Sequence, residues 1–385
     1  ILVDGLLNKD SFGLTPGGIP GGQAGAKLLP MDAVAQYEVL VAPFDIRLSG
    51  FAGGVMNAVT RTGTNEWTFR AFGVGRHEAL MGDLNLPSGS AEASGIQRAL
   101  LGLSVGGPII RDRAHLFVAT EFEGRRNPPS GYNLGRDPAS LVGIDENALE
   151  TFQDFFRREL GVETGVAGPY TLKRDLGNIF ARLDWNLENG NRVTVRHVFA
   201  GADSDESPNR SPFQPYELSS NAVFRTSTNN TTSAQLFLDM GNLGGNEIDL
   251  SIQRTTDRTE PGAIWPQVEA VVTSPALSYT ATRPVRAGAQ FFAQQNDLTQ
   301  TSVRLSNTLT LARGSATWTL GATGAWHDIR QEYLPGAMGE YFFPSLTDVL
   351  NNAPQRFQQT VLEEGESAGI GFNVLEAGAF LQGQL

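Results

Sequence analysis

The chain has 385 residues, with 29 Lys and Arg against 41 Asp and Glu for a net charge of −12, 44 glycines and no cysteine. That acidity argues against nucleic acid as a partner, because neutralising phosphates takes a basic patch, and the missing thiols exclude disulfides, thiolate metal sites and cysteine catalysis. A charged fraction of 18% with so much glycine is low for a soluble α/β enzyme and ordinary for an all-β protein with many tight turns.

The chain opens on Ile1 without a start methionine or a signal-like segment, and it closes on "AGAFLQGQL", which reads as an unfinished strand. It therefore reads as an internal piece of a longer protein. Residues 1–64 stand apart. "DSFGLTPGGIPGGQAGAK" (10–27) is too rich in glycine and proline for a membrane strand, and "GGIPGGQAG" (17–25) resembles a phosphate loop only in glycine content. No apolar strand leads into it and no Lys-Ser or Lys-Thr follows. "AVAQYEVLVAP" (33–43) gives a short helix or strand. In "GFAGGVMNAVTRTGTNEW" (50–67), two glycines lead an alternating apolar run, then a polar turn, then Trp67. The paired glycines could make a phosphate cradle, a strand bend or a close backbone approach, and the last fits best.

From residue 66 onward, alternation with period two dominates. In "GNIFARLDWNL", Ile179, Ala181, Leu183, Trp185 and Leu187 share one face, and Arg182, Asp184 and Asn186 the other. "EIDLSIQ" sets Ile248, Leu250 and Ile252 against Asp249, Ser251 and Gln253. In "SATWTLGATGAW", Trp318 and Trp326 lie on the apolar face, eight residues apart. At ~3.3 Å per residue and a tilt of ~40° this separates them by roughly 20 Å in height, the girdle spacing of an outer-membrane barrel. A β-sandwich alternates in the same way, but the connections favour the barrel. Long loops are expected at 79–94, 126–175, 202–222, 258–298 and 331–372. Between them fall the short connections "GGPIIRDRA" (106–114), "ENGN", "LGGN" and "ARGS". Outer-membrane barrels alternate in this way between short periplasmic turns and long extracellular loops. No run of about 18 apolar residues offers a transmembrane helix. The second long loop holds "DENALETFQDFFRREL", with Asp145 as N-cap and Leu149, Phe152, Phe156 and Leu160 at helical spacing.

Three motifs could carry chemistry. "GLSVG" (102–106) fits a nucleophile elbow at Ser104, but Ser104 sits inside an alternating segment and Gly107-Pro108 cannot open a helix. The histidines at 77, 115, 197 and 327 each read as isolated on a strand or its end. "ADSDES" gathers Asp203, Asp205 and Glu206 in a loop without the glycine and distal glutamate of an EF-hand, so a solvated loop is the better reading and no metal or cofactor is expected. Glu121 and Glu123 share a strand face, as a glycosidase pair could, but a barrel lumen is lined by such residues. The polar faces also bear Arg182, Arg192, Arg196, Arg254 and Arg304 with Asp184 and Asp249, a mixed-charge wet interior.

With these elements placed, the chain resembles the TonB-dependent outer-membrane receptors, most closely their Oar-like branch. "VDG" and "PGGQAG" resemble that branch's plug. "YEVLVAPFDIRLSGFAGGVMNAVTRTGTNEW" resembles the end of the plug and the start of the barrel. "SVGGPIIRDRAHLFVATEFEGRR" resembles the second and third barrel strands, and "IFARLDWNLENGNRVTVRH" the fourth and fifth. "GAFLQGQL" resembles a later strand, with Gly383 where the usual form has Asp. The resemblance implies an all-β fold: an antiparallel transmembrane barrel of roughly 22 strands filled by an N-terminal plug. Residues 1–64 would be the C-terminal part of the plug and 65–385 the first ten or so strands. It implies an importer without enzymatic activity in the bacterial outer membrane, driven by the TonB–ExbB–ExbD complex through a segment outside this sequence. Its partners would be outer-membrane lipid and an extracellular solute of unknown class. The plug–barrel junction would comprise Gly53, Gly54, Asn57, Arg61 and Gly63, with Asn57 bonding towards the wall. Candidate loop contacts to the solute are Trp265, Tyr279, Tyr341, Phe342 and Phe343, for which packing between loops or anchoring at the membrane interface is the competing role. The alternatives are a passive porin-like or adhesin-like barrel, and more remotely a secreted all-β serine hydrolase built on Ser104.

Overall fold

A computed structural model describes residues 1–15, 18–41, 46–47, 54–80, 84–86, 89–91, 95–137, 142–211, 214–272 and 283–384. The N-terminal unit is a small sheet of β1 (Leu2–Val3), β2 (Leu6–Leu7), β3 (Val34–Val41) and β4 (Gly54–Thr60), ordered β2-β1-β4-β3, with β1 parallel to β4. Segment 33–43, ambiguous in sequence, resolves into a 3-10 turn at Met31–Ala33 followed by β3.

Ten strands then form one antiparallel meander: β5 (Thr68–His77), β8 (Gln97–Ile110), β9 (Ala114–Asn127), β10 (Leu172–Asn186), β11 (Arg192–Asp205), β13 (Val223–Asp239), β14 (Gly244–Pro261), β17 (Asn296–Arg313), β18 (Ala316–Tyr333) and β21 (Gly369–Gln384). The sheet is open, with β5 and β21 at its edges. Its short connections each hold a residue in the left-handed region, Asp112, Asn189, Gly241 and Gly314, as tight turns require. Two boundaries differ from the sequence reading. The turn expected at 106–114 shrinks to 111–113, because β8 runs through Pro108 and absorbs it with a register shift before Ile110. Asp203 and Asp205 lie on β11 rather than in a loop. Asp203 accepts from the Thr226 hydroxyl (2.7 Å) and Asp205 from the Lys173 amide (2.8 Å).

The two faces of this wall invert the pattern of a water-soluble sheet. Leu101 and Ile252 are 61% and 48% exposed on one face, whereas Glu121 and Arg196, on the other, are 3% exposed. The N-terminal unit lies on the charged face, and among the described residues none of that unit is recorded against the apolar one. Along β18 the outward positions run Trp318, Leu320, Ala322, Gly324, Trp326 and then Asp328, Arg330, Glu332. The two tryptophans thus bracket the apolar stretch, and both are exposed. On β14 the outward row is Ile248, Leu250, Ile252 and then Arg254. This corrects one assignment: Arg254 faces outward, where the apolar band ends and longer strands rise above it.

The long loops are themselves folded. The strands β12 (Tyr216–Glu217), β15 (Gln267–Val271), β16 (Pro284–Ala287), β19 (Glu340–Phe343) and β20 (Arg356–Gln358) form one mixed sheet ordered β12-β16-β15-β19-β20. A further hairpin pairs β6 (Leu84–Leu86) with β7 (Gly89–Ala91). Helix α1 (Glu146–Phe155) starts where the sequence places it, with the Asp145 carboxylate accepting from the Asn147 and Ala148 amides (2.9 and 3.1 Å). A π turn, Phe156–Leu160, extends it. Leu149, Phe152 and Phe156 are buried in the loop core beside Val268, Val285 and Val349, contributed by other loops, while Leu160 at the end of the π turn is exposed. A second short helix, α2 (Leu346–Leu350), brings in Val349.

Candidate functional site: the N-terminal unit against the wall

The covered face of the wall meets the N-terminal unit mainly through hydrogen bonds and ion pairs. Asp4 lies at the end of β1, where its amide is tied to the Ala58 carbonyl (2.9 Å). Its carboxylate accepts from the Thr60 amide and hydroxyl (2.7 and 2.6 Å) and pairs with Arg182 (3.2 Å) and Arg196 (2.7 Å) of the wall. Arg182 also grips Asp184 (2.8 Å). Farther up, Lys27 bridges Glu121 (3.2 Å) and Glu123 (2.5 Å), and the Met31 amide donates to Glu121. Gln300 donates to Asp10 (2.7 Å), Gln253 to the Lys9 carbonyl (3.0 Å) and Arg304 to the Leu7 carbonyl (3.1 Å). Two small apolar clusters interrupt this polar seam. In one, Val3, Leu28 and Ala33 meet Phe117, Ala119, Phe180 and Val198; in the other, Ala24 and Ala26 meet Leu176, Ala200 and Ala202. A cavity of about 750 Å³ remains between the unit and the wall, with Lys9, Asp10, Asp249, Arg304 and Glu376 among its lining.

The junction residues divide. Gly53 lies outside the described residues. Gly54 heads β4, and a Cβ there would sit 3.4 Å from the Leu40 carbonyl oxygen. Asn57 bonds within the unit rather than to the wall: it accepts from the Gly5 amide and donates to Glu38 (both 3.0 Å), because β4 sits between β1 and β3. The Arg61 amide donates to the Ala33 carbonyl (2.8 Å). Gly63 makes the close approach that the sequence assigned to the paired glycines. A Cβ there would collide with the Leu116 carbonyl oxygen and lie 3.0 Å from that of Gly107, both on the wall.

Ser104 is not placed as a nucleophile. Strand β8 continues on either side of it, and its hydroxyl donates to Asp32 (3.2 Å), which also pairs with Arg70 (3.2 Å). His327, isolated in the sequence reading, is hydrogen-bonded to Ser302 (2.7 Å), and Ser302 to Ser11 (3.2 Å). Strand pairing between β17 and β18 creates that link, and no spacing within either strand announces it.

In the folded loops, the Trp265 ring stacks on Phe156 (5.8 Å) and Tyr341 packs on Phe357 (4.4 Å). Phe342 lies beneath the Arg356 guanidinium (5.7 Å), and Phe343 is buried. Tyr279 lies outside the described residues. Sequence reasoning missed the pair that ties the loops together, Arg210 and Arg283, which flank the Tyr216 ring at 5.2 and 4.9 Å. Arg210 donates to the Gly168 and Val166 carbonyls (2.8 and 3.0 Å), and Arg283 to those of Gln214 and Val142 (2.6 and 2.9 Å). Burial pushes Glu217 above the usual carboxylate range and Tyr170 up to about 12.

No protein-family model matches the chain, and no curated protein does. Among solved structures, the outer-membrane transporter YddB of Escherichia coli matches with a TM-score of 0.61 at 8% identity, over 99% of this chain and 46% of its own. The siderophore receptor PirA of Acinetobacter baumannii (TM-score 0.47, 14% identity) matches over 86% of this chain and 40% of its own. A mutant of the ferric enterobactin receptor of Pseudomonas aeruginosa (0.48, 15%) matches over 86% and 41%. The chain thus spans under half the length of these proteins, and it has the fold of an outer-membrane transporter.

Proposed function

We propose that this chain, whose fold is that of the TonB-dependent outer-membrane receptors, is the plug end and first barrel strands of an active importer in a bacterial outer membrane. It takes up a scarce extracellular solute with energy supplied through TonB, ExbB and ExbD. The observation that carries this reading is the plug itself, a separate unit held on the lumen face by polar contacts and two small apolar patches. Polar contacts to a wetted wall can be exchanged for water one at a time, so such a unit can be moved without unfolding the wall. Gly54, Asn57, Arg61 and Gly63 would form the tether between movable plug and fixed wall, and Trp265, Tyr341, Phe342 and Phe343 would shape the recognition surface of the loops. A porin-like or adhesin-like barrel is the second reading, since it shares the wall and needs no moving plug.

The two are separated by locking the plug. The Ser11 and Ser302 hydroxyls lie 3.2 Å apart in a chain without cysteine, so Ser11→Cys with Ser302→Cys creates one cross-link. The substituted whole protein replaces the native one in its own bacterium, and solutes depleted from the medium are profiled. Depletion should require TonB, stop when the pair is oxidised and return with reductant. Depletion that continues without TonB, or with the plug locked, overturns active import.

A further inference from the structure

The outward face of the wall changes character one step above its upper tryptophan. Trp326 of β18 stands opposite Val303 of β17, and Val303 opposite Ile252 of β14, so these three share one level near the top of the apolar band. Two residues farther towards the loops, strand register lines up Asn230 of β13, Arg254 of β14, Thr301 of β17 and Asp328 of β18. The level after that brings together Thr228, Thr256, Thr299 and Arg330 of the same four strands. Alternation puts all eight on the outward side with Ile252 and Trp326. Adjacent strands lie about 4.8 Å apart, so each level spans roughly 14 Å, and the two levels are about 7 Å apart.

This patch has bonding capacity left over. Arg330 is held by Asp328 (3.1 Å), and Arg258, one level higher, by Asp297 (3.4 Å) and Glu260 (3.7 Å). Arg254 is exposed, and among the described residues it has no carboxylate partner. Nor do the hydroxyls of Thr228, Thr256, Thr299 and Thr301 or the amide of Asn230 make a side-chain hydrogen bond among the described residues. Two arginines against one aspartate make the patch a positive spot on a chain whose net charge is −12. It sits directly on the apolar band, so it meets the polar layer of the membrane rather than open water.

We propose that this patch binds the headgroup of a phosphorylated glycolipid in the outer leaflet. Arg254 takes a phosphate, the threonines and Asn230 take sugar hydroxyls, and the acyl chains lie along Leu250, Ile252, Val303 and Leu305. A guanidinium grips phosphate bidentately, and such charge-assisted bonds are the strong members of their class. Threonine and asparagine supply the mixed donors and acceptors that sugar hydroxyls need. Arg254 and Arg330 stand two strands and one level apart, roughly 12 Å, which is wider than a single phosphate. Continuity with the apolar band selects a lipid over a dissolved phosphate. The site depends on the outer-membrane fold and not on import.

The test uses the whole protein in detergent micelles, titrated separately with lipid A (a phosphorylated disaccharide lipid), with lipid A stripped of its phosphates, and with phosphatidylglycerol. Bound lipid is counted by native mass spectrometry. Lipid A should bind at least about tenfold more tightly than either of the others, and added salt should narrow the gap to the stripped form. Arg254→Gln should lower lipid A affinity roughly tenfold and leave the stripped form unaffected, whereas Arg254→Lys should retain most of it. Thr299→Val with Thr301→Val should weaken both forms of lipid A and spare phosphatidylglycerol. Arg313→Gln, the same loss of charge on the outward face at the other end of β17, should change nothing. Equal binding of phosphatidylglycerol and lipid A overturns the glycolipid assignment. Full affinity in Arg254→Gln, or an equal loss in Arg313→Gln, overturns the site.

Discussion

Asp4 shows how much of the N-terminal unit's seat one side chain holds. It pairs with two wall arginines, of which Arg196 is almost wholly buried, and it fixes Thr60 at the end of β4. Replacing it by asparagine keeps the size and one acceptor but removes the charge. Two buried guanidinium groups are then left with Asp184 alone, at a cost of about 3–5 kcal/mol for a broken buried pair. Asp4→Asn should therefore speed amide hydrogen exchange across residues 1–7 and 54–60 while leaving exchange in the wall strands unchanged. Unaltered exchange in the N-terminal unit would show that the seat lies elsewhere. The sequence places Arg182, Arg196 and Asp184 on a wet strand face. It gives no sign that Asp4 reaches them, since Asp4 is 178 residues from Arg182 and follows a two-residue strand too short to leave a pattern.

At the level of elements, what repeats was readable and what meets across the chain was not. Alternation in β10, β14 and β18 and the rhythm of long and short connections give the meander, because each signal lies within a dozen or so residues. The loop sheet gives no such signal. Its strands hold two to five residues each, and two of its four pairings join strands of different loops, so neither period nor turn chemistry marks the sheet. The same holds for Arg210 and Arg283, most of whose partners are main-chain carbonyls. Glu217, on one of these short strands, gives the loop unit a pH response. Its ordinary value is 4.5 and burial raises it in the fold, so folding takes up a proton between the two values. The loop unit should be most stable below the ordinary value and lose stability as pH rises through the raised one. Glu217→Gln keeps an acceptor for the Asn209 amide and cannot ionise. Thermal melting of the loops from about pH 4 to about pH 8 should fall less with rising pH in this variant than in the parent. An equal fall in both would assign the response to another group.

For the whole molecule, the governing fact is the division of surfaces by surroundings: apolar outward, polar inward, acidic at the top. The five loops between wall strands carry eighteen carboxylates and seven arginines, nearly all of the chain's net charge of −12. At physiological salt their field decays over about 8 Å, so it acts at the loop surface more than in the lumen. The outward band sets the membrane level and can be probed at its centre. Leu250→Arg should destabilise the protein in lipid vesicles by about 2–4 kcal/mol in urea unfolding, whereas Arg254→Ile, where the band ends, should be nearly neutral. Equal effects at both positions would misplace the band. The loop sheet has one more consequence, on the scale of descent. Strands from three of the loops, β12, β15 with β16, and β19 with β20, are stitched into one sheet around a shared core, so none of these strands can be replaced without disturbing its neighbours from another loop. A lineage adapting this outer surface to a new solute would have to exchange these segments as a single inherited block, and their sequences should diverge in concert rather than loop by loop.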